Sequence, residues 1–436
     1  MDCSESRLCC LQVEVCQSSN STARSSAVED RVRLFLQDSN KTIFGDVLLT
    51  EFPDDFLARH VQSVSICDTD LTLSGGASGS SSSRSTVCLA QAQLDIHVFQ
   101  LHQDEDGPAA ETIDDQEEEI SAAGHWLLPS TEFQGLWENL IYDVNVKEKL
   151  LQYATTTLLF SDHNVDCNVV SWNRVILLHG PPGTGKTSLC KALAQKLCIR
   201  FSKRYTYGQL VEINSHGLFS KWFSESGKLV QKMFDKIQEL IDDPDALVCV
   251  LIDEVESLTM ARKAAMSGSE PSDSIRVVNA LLTQIDRIKR HSNVIILTTS
   301  NMTGAIDLAF VDRADIKQYI GLPTPPAIYR IYQSCLAELM RTGIIAPPQQ
   351  LLGMRDLEVL KFVENDATRH SLKLFELSKR SEGLSGRTLR KLPFLAHVNS
   401  MSNQAVSLDV FMEALSMTIT RQFEERSDMQ RTSADS

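Results

Sequence analysis

A glycine-rich run that contains one lysine is the feature of the sequence that specifies chemistry most clearly. Residues 180–187 read GPPGTGKT and satisfy the pattern G-x-x-x-x-G-K-[ST] in full. In such a loop, backbone N–H groups wrap the phosphates, the lysine reaches the β- and γ-phosphates, and the following hydroxyl ligates Mg²⁺. An apolar strand-like segment, 175–179, precedes the run, and a helix-like segment, 188–197, follows it. The residues predicted to bind the nucleotide are Gly180, Pro181, Pro182, Gly183, Thr184, Gly185, Lys186, Thr187 and Ser188.

Two adjacent carboxylates follow a second apolar run. Residues 246–252 read ALVCVLI and lead directly into Asp253 and Glu254. A continuous apolar run of this length predicts a buried central strand, which delivers both acids to the sheet edge where ligands bind. Asp253 is predicted to hold Mg²⁺ together with Thr187, and Glu254 to orient and polarise the attacking water. The alternative is that the two acids merely end the strand at the protein surface and have no catalytic role.

A third strand ends in polar residues. The segment 294–298 is apolar up to its last residue and is followed by Thr299, Ser300 and Asn301. A polar side chain at the same sheet edge reaches the γ-phosphate or its water, so Asn301 is a candidate nucleotide sensor. Read alone, Asn301 is an ordinary turn residue at a strand end.

The elements that must position these residues alternate between helix and buried strand from about residue 136 to 321. Such alternation predicts a parallel α/β sheet between helices. Beyond Pro323 the strands stop, and the apolar periodicity predicts a small helical domain. Earlier in the chain, 11–15, 61–67 and 94–101 alternate as half-buried strands do. We therefore predict four segments: an N-terminal α+β domain (1–103) with a Ser/Gly-rich loop (74–85), an acidic linker (104–135), an ATPase domain (136–321) and a helical lid (322–436).

Composition excludes several classes of protein. The chain has 436 residues, a formal net charge of −15 and 42% hydrophobic residues, values typical of a folded globular protein. No apolar stretch approaches the ~18 residues that a membrane span needs, and the acidic balance argues against a broad duplex-DNA footprint. The 11 cysteines lack metal-ligand spacing, and no secretory signal is recognisable, which favours a reduced cytosolic or nuclear location. The cysteine-bearing start of the chain is expected to be a frayed tail.

The combination of GPPGTGKT, LIDE, TTSN and a C-terminal helical domain resembles the AAA+ ATPases. Within that resemblance, KWFSESGK (221–228) corresponds to the first pore loop, where Trp222 and Phe223 would grip a polypeptide in a central channel. Packing of these two aromatic residues in the core is the alternative. Arg313, in DRAD, lies where the family carries an arginine finger that acts on the neighbouring subunit, and a surface salt bridge is the alternative for it. Arg387, in GLSGR, corresponds to the sensor-two arginine, with Ser385 capping its helix.

The resemblance extends from about residue 43 to 426 and is strongest with the branch that remodels HORMA-domain proteins. It implies a homohexameric ring that uses ATP and Mg²⁺, with the adenine near residues 140–143. It also implies conversion of the closed mitotic-checkpoint HORMA protein to its open form with a HORMA-like adaptor, where the N-terminal domain (1–103) would receive substrate and adaptor. Further implied roles are remodelling of HORMA proteins on meiotic chromosome axes, spindle-checkpoint silencing, and a nuclear and cytosolic location. Membrane binding and sequence-specific nucleic-acid binding are not expected. A nucleic-acid translocase or clamp loader is the alternative function, because Arg387 fits that branch too.

Overall fold

The computed structural model describes residues 10–38, 42–43, 46–67, 87–89, 92–103, 109–115, 118–143, 145–163, 165–214, 226–257, 273–302, 306, 308–399 and 405–434. Three hydrophobic units follow one another along the chain: an N-terminal α+β domain, an α/β domain around a parallel sheet, and a helical domain. The predicted fold class is confirmed.

The N-terminal domain is a four-stranded sheet of order β3–β4–β1–β6 with helices packed against it. β1 pairs antiparallel with β4 and parallel with β6. Its elements are β1 (Cys10–Gln17), α1 (Ser25–Asp38), β2 (Thr42–Ile43), β3 (Val47–Leu49), α2 (Asp55–His60), β4 (Val61–Cys67), β5 (Val87–Cys88) and β6 (Gln93–Gln100). The three predicted strands are confirmed. The expectation of a frayed start is wrong from Cys10 onward, because alternate residues of β1 are fully buried in the domain core.

The α/β domain is built on a seven-stranded sheet of order β13–β9–β12–β11–β10–β8–β7. The five strands β9 to β13 are mutually parallel, and β8 and β7 add antiparallel strands at one edge. Its elements are β7 (Ala109–Asp115), β8 (Glu118–Leu128), a 3₁₀ turn (Thr131–Phe133), α3 (Leu136–Asn139), α4 (Val146–Asp162), β9 (Val175–His179), α5 (Lys186–Arg200), β10 (Tyr207–Asn214), α6 (Ser226–Ile241), β11 (Ala246–Asp253), α7 (Asp273–Ile288), β12 (Val294–Ser300), α8 (Leu308–Arg313) and β13 (Ile316–Tyr319).

β11 is the buried central strand that the sequence predicts. It lies between β10 and β12, and residues 246–252 are all buried. Because side chains alternate across a sheet, Val248, Val250 and Ile252 enter the core on one face. Leu247, Cys249 and Leu251 enter the core on the other. Helices α5 and α6 pack against β11 from its two faces and define where its carboxyl end lies.

The prediction of a solvated linker over 104–135 is wrong for most of its length. Residues 109–115 and 118–128 form β7 and β8, and β8 pairs with β10 in register Gly208↔Leu128. Trp126 and Leu128 are buried in the core of the α/β domain. A run of acidic residues indicates hydrated side chains, but it does not prevent the backbone from pairing at a sheet edge. The α/β domain therefore begins before the predicted boundary at 136.

The C-terminal domain is helical, as predicted. It contains α9 (Pro325–Arg341), α10 (Met354–Val359), α11 (Arg369–Arg380), α12 (Gly386–Asn399) and α13 (Leu408–Ala434). Its core includes the fully buried aromatics Tyr332 and Phe411, and Ile141 from the α/β domain packs against it. Within the described residues, no helix has the length and apolar character needed to cross a membrane.

A buried cluster of ion pairs joins the N-terminal domain to the helix that follows the phosphate loop. Glu14 on β1 accepts from Lys196 Nζ and from Arg200 Nε, each at 2.7 Å, and both basic residues lie on α5. Burial raises the pKa of the Glu14 carboxyl, but the two cations outweigh it and hold the pKa below its usual value. The side chains of Glu14 and Lys196 are 6% and 4% exposed, so each charge depends on its partner.

Replacing Glu14 with Ala is expected to destabilise this junction by about 3–5 kcal/mol, because it leaves the buried Lys196 with only its longer contact to Glu138 and removes the same carboxylate from Arg200. Hydrogen exchange at β1 and at the C-terminal half of α5 measures the effect. Lys203→Ala is the matched control: it removes an interdomain ion pair with Asp95 in which Lys203 is 56% exposed. The control is expected to cost less than about 1 kcal/mol. Equal exchange in the two variants would contradict a special role for the buried cluster.

Candidate active site

The loop between β9 and α5 has backbone geometry that requires glycine. Gly180 has φ = +145°, and a Cβ atom there would lie 2.1 Å from the main-chain oxygen of Ile320, just after β13. Gly183 has φ = +76° and faces the helical domain. Side chains other than glycine's are strained at such φ values and would fill the space beside the loop. The structure therefore places the predicted nucleotide loop as a tight turn at the carboxyl edge of the sheet.

Lys186 lies beneath this loop as the first residue of α5. It is 4% exposed, and its Nζ donates to the carbonyl oxygens of Gly180 (2.9 Å) and Pro181 (2.8 Å). Burial lowers the pKa of Lys186, and the carboxylates of Glu256, Asp253 and Glu254 act in the opposite direction. A buried cation held among backbone carbonyls at a helix N-terminus is suited to binding phosphate.

Thr187 and Asp253 meet at the edge of the sheet, as the sequence predicts. Thr187 Oγ1 donates to Asp253 Oδ1 at 2.9 Å, and Thr299 Oγ1 at the end of β12 donates to the same oxygen. A hydroxyl and a carboxylate oxygen at one point form the hard-oxygen donor set that Mg²⁺ prefers. The residues present therefore fit the predicted ion. Sequence reasoning missed the contribution of Thr299, whose only signal was its place in the strand-end segment TTSN.

Glu254 and Asn301 are brought together at the same edge. Asn301 Nδ2 donates to Glu254 Oε1 at 3.2 Å, and the Glu254 backbone amide donates to Thr299 Oγ1 at 3.2 Å. Glu254 has φ = +57°, in the left-handed region that costs a non-glycine residue roughly 1–3 kcal/mol. Strain of this kind persists where the surroundings fix a side chain for function. The arrangement orients one carboxylate by an amide, which suits it to direct a water molecule.

The helical domain contacts the phosphate loop directly. The Arg387 backbone amide donates to the Gly183 carbonyl oxygen at 3.0 Å, and Ser385 Oγ lies beside Gly183. Ser385 also accepts from the Thr388 amide at 3.3 Å, which is the predicted N-cap of α12 and places Arg387 in its first turn. The structure therefore brings Arg387 to the loop through its backbone.

Residues 140–143, which the family resemblance associates only with adenine, contact both the phosphate loop and the start of the helical domain. Tyr142 Oη donates to the Gly185 carbonyl oxygen at 3.2 Å, and burial raises the pKa of Tyr142 well above its usual value. Asp143 Oδ2 accepts from the Thr324 amide at 3.0 Å, immediately before α9. These contacts connect the phosphate loop to the start of the helical domain. No local motif marks Tyr142, since its partner lies 43 residues away.

Arg313, a further predicted residue that the structure describes, makes its contacts away from this cluster. The Arg313 guanidinium, at the end of α8, is bound by Asp286 on α7, with Nη2 2.6 Å from Oδ2, and Nη1 donates to the Ala309 carbonyl oxygen. Burial raises the pKa of Asp286, but hydrogen bonds from Arg313 and Lys289 outweigh it and leave the pKa below its usual value. The salt-bridge alternative for Arg313 is thus observed within one chain. Trp222 and Phe223 lie outside the described residues.

Gly183→Ala is expected to weaken nucleotide binding by about tenfold, because the new Cβ would lie 2.8 Å from Ser385 Oγ and push the helical domain from the loop. Calorimetric titration with a non-hydrolysable ATP analogue measures the affinity. Gly343→Ala is the matched control, since Gly343 has the same φ of +76° and nothing within 4 Å of its Cβ position. The control introduces the same backbone strain away from the loop. The same loss of affinity in both variants would show that general destabilisation of the protein, and not the contact between Gly183 and Ser385, is responsible.

Comparison with family models defines the class of protein. A model described as the ATPase family associated with various cellular activities matches residues 176–322, which include the loop, both carboxylates and Asn301. The protein is an AAA+ ATPase that binds and hydrolyses ATP. Two further models match the flanking domains: a TRIP13 N-terminal domain at residues 7–104 and a TRIP13-like AAA+ ATPase lid C-terminal domain at residues 324–423.

Comparison with individual proteins identifies the family within this class. Pachytene checkpoint protein 2 homologs from Gallus gallus and Homo sapiens are 62% and 60% identical over 416 residues, which covers 95% of this chain and 94% of each relative. The solved structure of C. elegans PCH-2 has a TM-score of 0.74 at 36% identity and covers 95% of this chain and 99% of its own. The chain belongs to the pachytene checkpoint protein 2 homolog family. A chain in the solved E. coli MS115-1 HORMA:CdnC:Trip13 complex shares the fold, with a TM-score of 0.51 at 18% identity. The match covers 67% of this chain and 94% of that chain.

Proposed function

We propose that the protein is an ATP-driven remodeller that partially unfolds HORMA-domain proteins, converting closed forms to open ones with a HORMA-like adaptor. The observation that carries the proposal is the extent of the family relationship, which covers the N-terminal and lid domains as well as the ATPase domain. The E. coli complex that shares the fold also contains a HORMA protein together with a Trip13 protein. The nucleic-acid alternative is not favoured, because the flanking-domain models and the relatives reported above are those of pachytene checkpoint protein 2 and TRIP13.

The chemistry of the proposal follows from the site. Lys186 and the loop amides would bind the phosphates, and Thr187 and Asp253 would hold Mg²⁺. The ion, when bound, neutralises charge on the β- and γ-phosphates. Glu254, oriented by Asn301, polarises the attacking water, and Arg387 responds to the nucleotide because its amide is bound to Gly183. The helical domain therefore moves with the loop.

The mechanical part of the proposal requires a ring. We propose a homohexamer in which Arg313 of one subunit completes the ATP site of the next, so that hydrolysis depends on assembly. Trp222 and Phe223 would grip a terminal segment of the client and pull it as the helical domain rotates. A client with two packings of similar free energy needs only local unfolding to switch between them. Asp286 holds Arg313 in the single chain, so this role requires the ion pair to open.

One reaction tests both the proposed client and the ATPase activity. Purified protein is mixed with ATP, Mg²⁺, a closed HORMA-domain client and a HORMA-like adaptor, and both phosphate release and the client's conformer are measured. We expect client-stimulated hydrolysis with closed-to-open conversion, and neither in Glu254→Gln. Hydrolysis that ignores HORMA proteins would remove the client from the proposal. Stimulation by polynucleotide in their place would favour a nucleic-acid substrate.

The proposed clients place the protein in the nucleus, on meiotic chromosomes and at kinetochores, and in the cytosol. This location is supported by the family resemblance, which also implies roles in meiotic recombination, oogenesis and spermatogenesis. Imaging of a tagged chain in dividing and meiotic cells tests it. Exclusion from both chromosomes and kinetochores would contradict it.

A further inference from the structure

Glu256 is a buried carboxylate beside the site to which the sequence motifs give no role. It lies two residues after Glu254 and is 7% exposed. Glutamate is rarely buried to this degree unless it is paired, because desolvation of a carboxylate is costly. Within the described part of the chain, Glu256 Oε2 is buried and has no hydrogen-bond partner. A carboxylate kept in such a position at an active site calls for a functional reason.

The other carboxylate oxygen has a specific partner. Glu256 Oε1 accepts from the Asn301 backbone amide at 3.1 Å. The Asn301 side chain in turn donates through Nδ2 to Glu254 Oε1 at 3.2 Å. Three residues thus form one connected chain, in which Glu256 fixes the backbone of Asn301 and Asn301 fixes the carboxylate of Glu254. Asn301 immediately follows β12, where the sheet no longer holds its amide.

We propose that Glu256 is a positioning residue for ATP hydrolysis, which holds the Asn301 backbone so that the Asn301 side-chain amide orients Glu254. The inference rests on the role proposed for Glu254. It predicts that the rate of the chemical step depends on the length of the side chain at position 256 more than on its charge.

Two substitutions separate length from charge. Glu256→Asp keeps the charge but withdraws the oxygen from the Asn301 amide, and we expect kcat to fall about 10- to 100-fold with a small change in ATP affinity. Glu256→Gln keeps an acceptor oxygen in reach but removes the charge. We expect it to lose much less of kcat than Glu256→Asp, with ATP affinity again little changed. Steady-state kinetics gives kcat, and titration with a fluorescent ATP analogue gives the Kd.

A double-variant cycle tests the route through Asn301. If Glu256 acts through that residue, Glu256→Asp combined with Asn301→Ala should lose no more of kcat than Asn301→Ala alone. Additive losses would overturn the inference, as would equal kcat in the Asp and Gln variants. If the role proposed for Glu254 is wrong, Glu254→Gln will retain turnover. That outcome is distinguishable from failure of the inference about Glu256. If Glu254→Gln stops turnover and Glu256→Asp does not slow it, the inference about Glu256 alone is wrong.

Discussion

Glu254→Gln is expected to lower ATP turnover by about 10²–10⁴-fold while ATP remains bound. Glutamine has the shape of glutamate and keeps an oxygen for the Asn301 amide, so the local structure should be retained. It has no negative charge with which to polarise water or receive a proton. The phosphate loop and Lys186 are unchanged, so affinity for the nucleotide should remain within a few-fold. Phosphate release and equilibrium nucleotide binding, measured on the same preparation, give the two quantities.

Lys186→Ala is the control that separates binding from chemistry. It removes the cation beneath the loop, so nucleotide binding itself should fail. A Glu254→Gln variant that loses binding as Lys186→Ala does would show that Glu254 supports the loop. A variant that keeps both binding and turnover would show that another group directs the water.

Some parts of the site can be predicted from the sequence. In these parts, one short segment contains both the functional residues and the residues that determine their local structure. The phosphate loop carries its glycines, its lysine and its helix start within eight consecutive residues. The strand 246–252 is recognisable because every residue is apolar, as burial on both faces requires. Ser385 is recognisable as a cap because capping acts over three residues. In each case the decisive interaction is local.

The parts that sequence reasoning misses depend on partners far away in the chain. Glu14 and Lys196 are 182 residues apart, and neither is recognisable as buried from its surroundings in the sequence. The strands 109–115 and 118–128 resemble a linker because their acidic composition hides the pairing with β10. Asn301 is predicted because its strand end lies at the same sheet edge as the other motifs, while its contacts with Glu254 and Glu256 are not visible in the sequence.

The position of α5 indicates how the three domains communicate. Its first residue, Lys186, lies under the phosphate loop, and residues near its end bind Glu14 of the N-terminal domain. The loop before it is bound by the Arg387 amide of the helical domain. One helix therefore connects the phosphate loop to the N-terminal domain. A rearrangement at the loop can be transmitted in either direction along it.

Arg313→Ala is expected to lower turnover by about 10³-fold or more in the assembled protein, if Arg313 reaches the ATP of the neighbouring subunit. In one chain its guanidinium is held by Asp286, so the loss of this ion pair must be separated from the loss of a trans contact. Asp286→Asn is the matched variant, since it weakens the same bridge and leaves the arginine in place. We expect Asp286→Asn to retain turnover.

Mixing subunits of two inactive variants tests whether Arg313 acts on the ATP of a neighbouring subunit. Arg313→Ala subunits keep their own loop and Glu254, whereas Glu254→Gln subunits keep their arginine. If the arginine acts in trans, the two inactive variants should restore turnover when mixed, because some interfaces then pair an intact Glu254 with an intact Arg313. Thermal unfolding of each variant reports the structural cost of the ion pair. Equal loss of turnover in Arg313→Ala and Asp286→Asn, with no recovery on mixing, would assign Arg313 to the salt bridge alone.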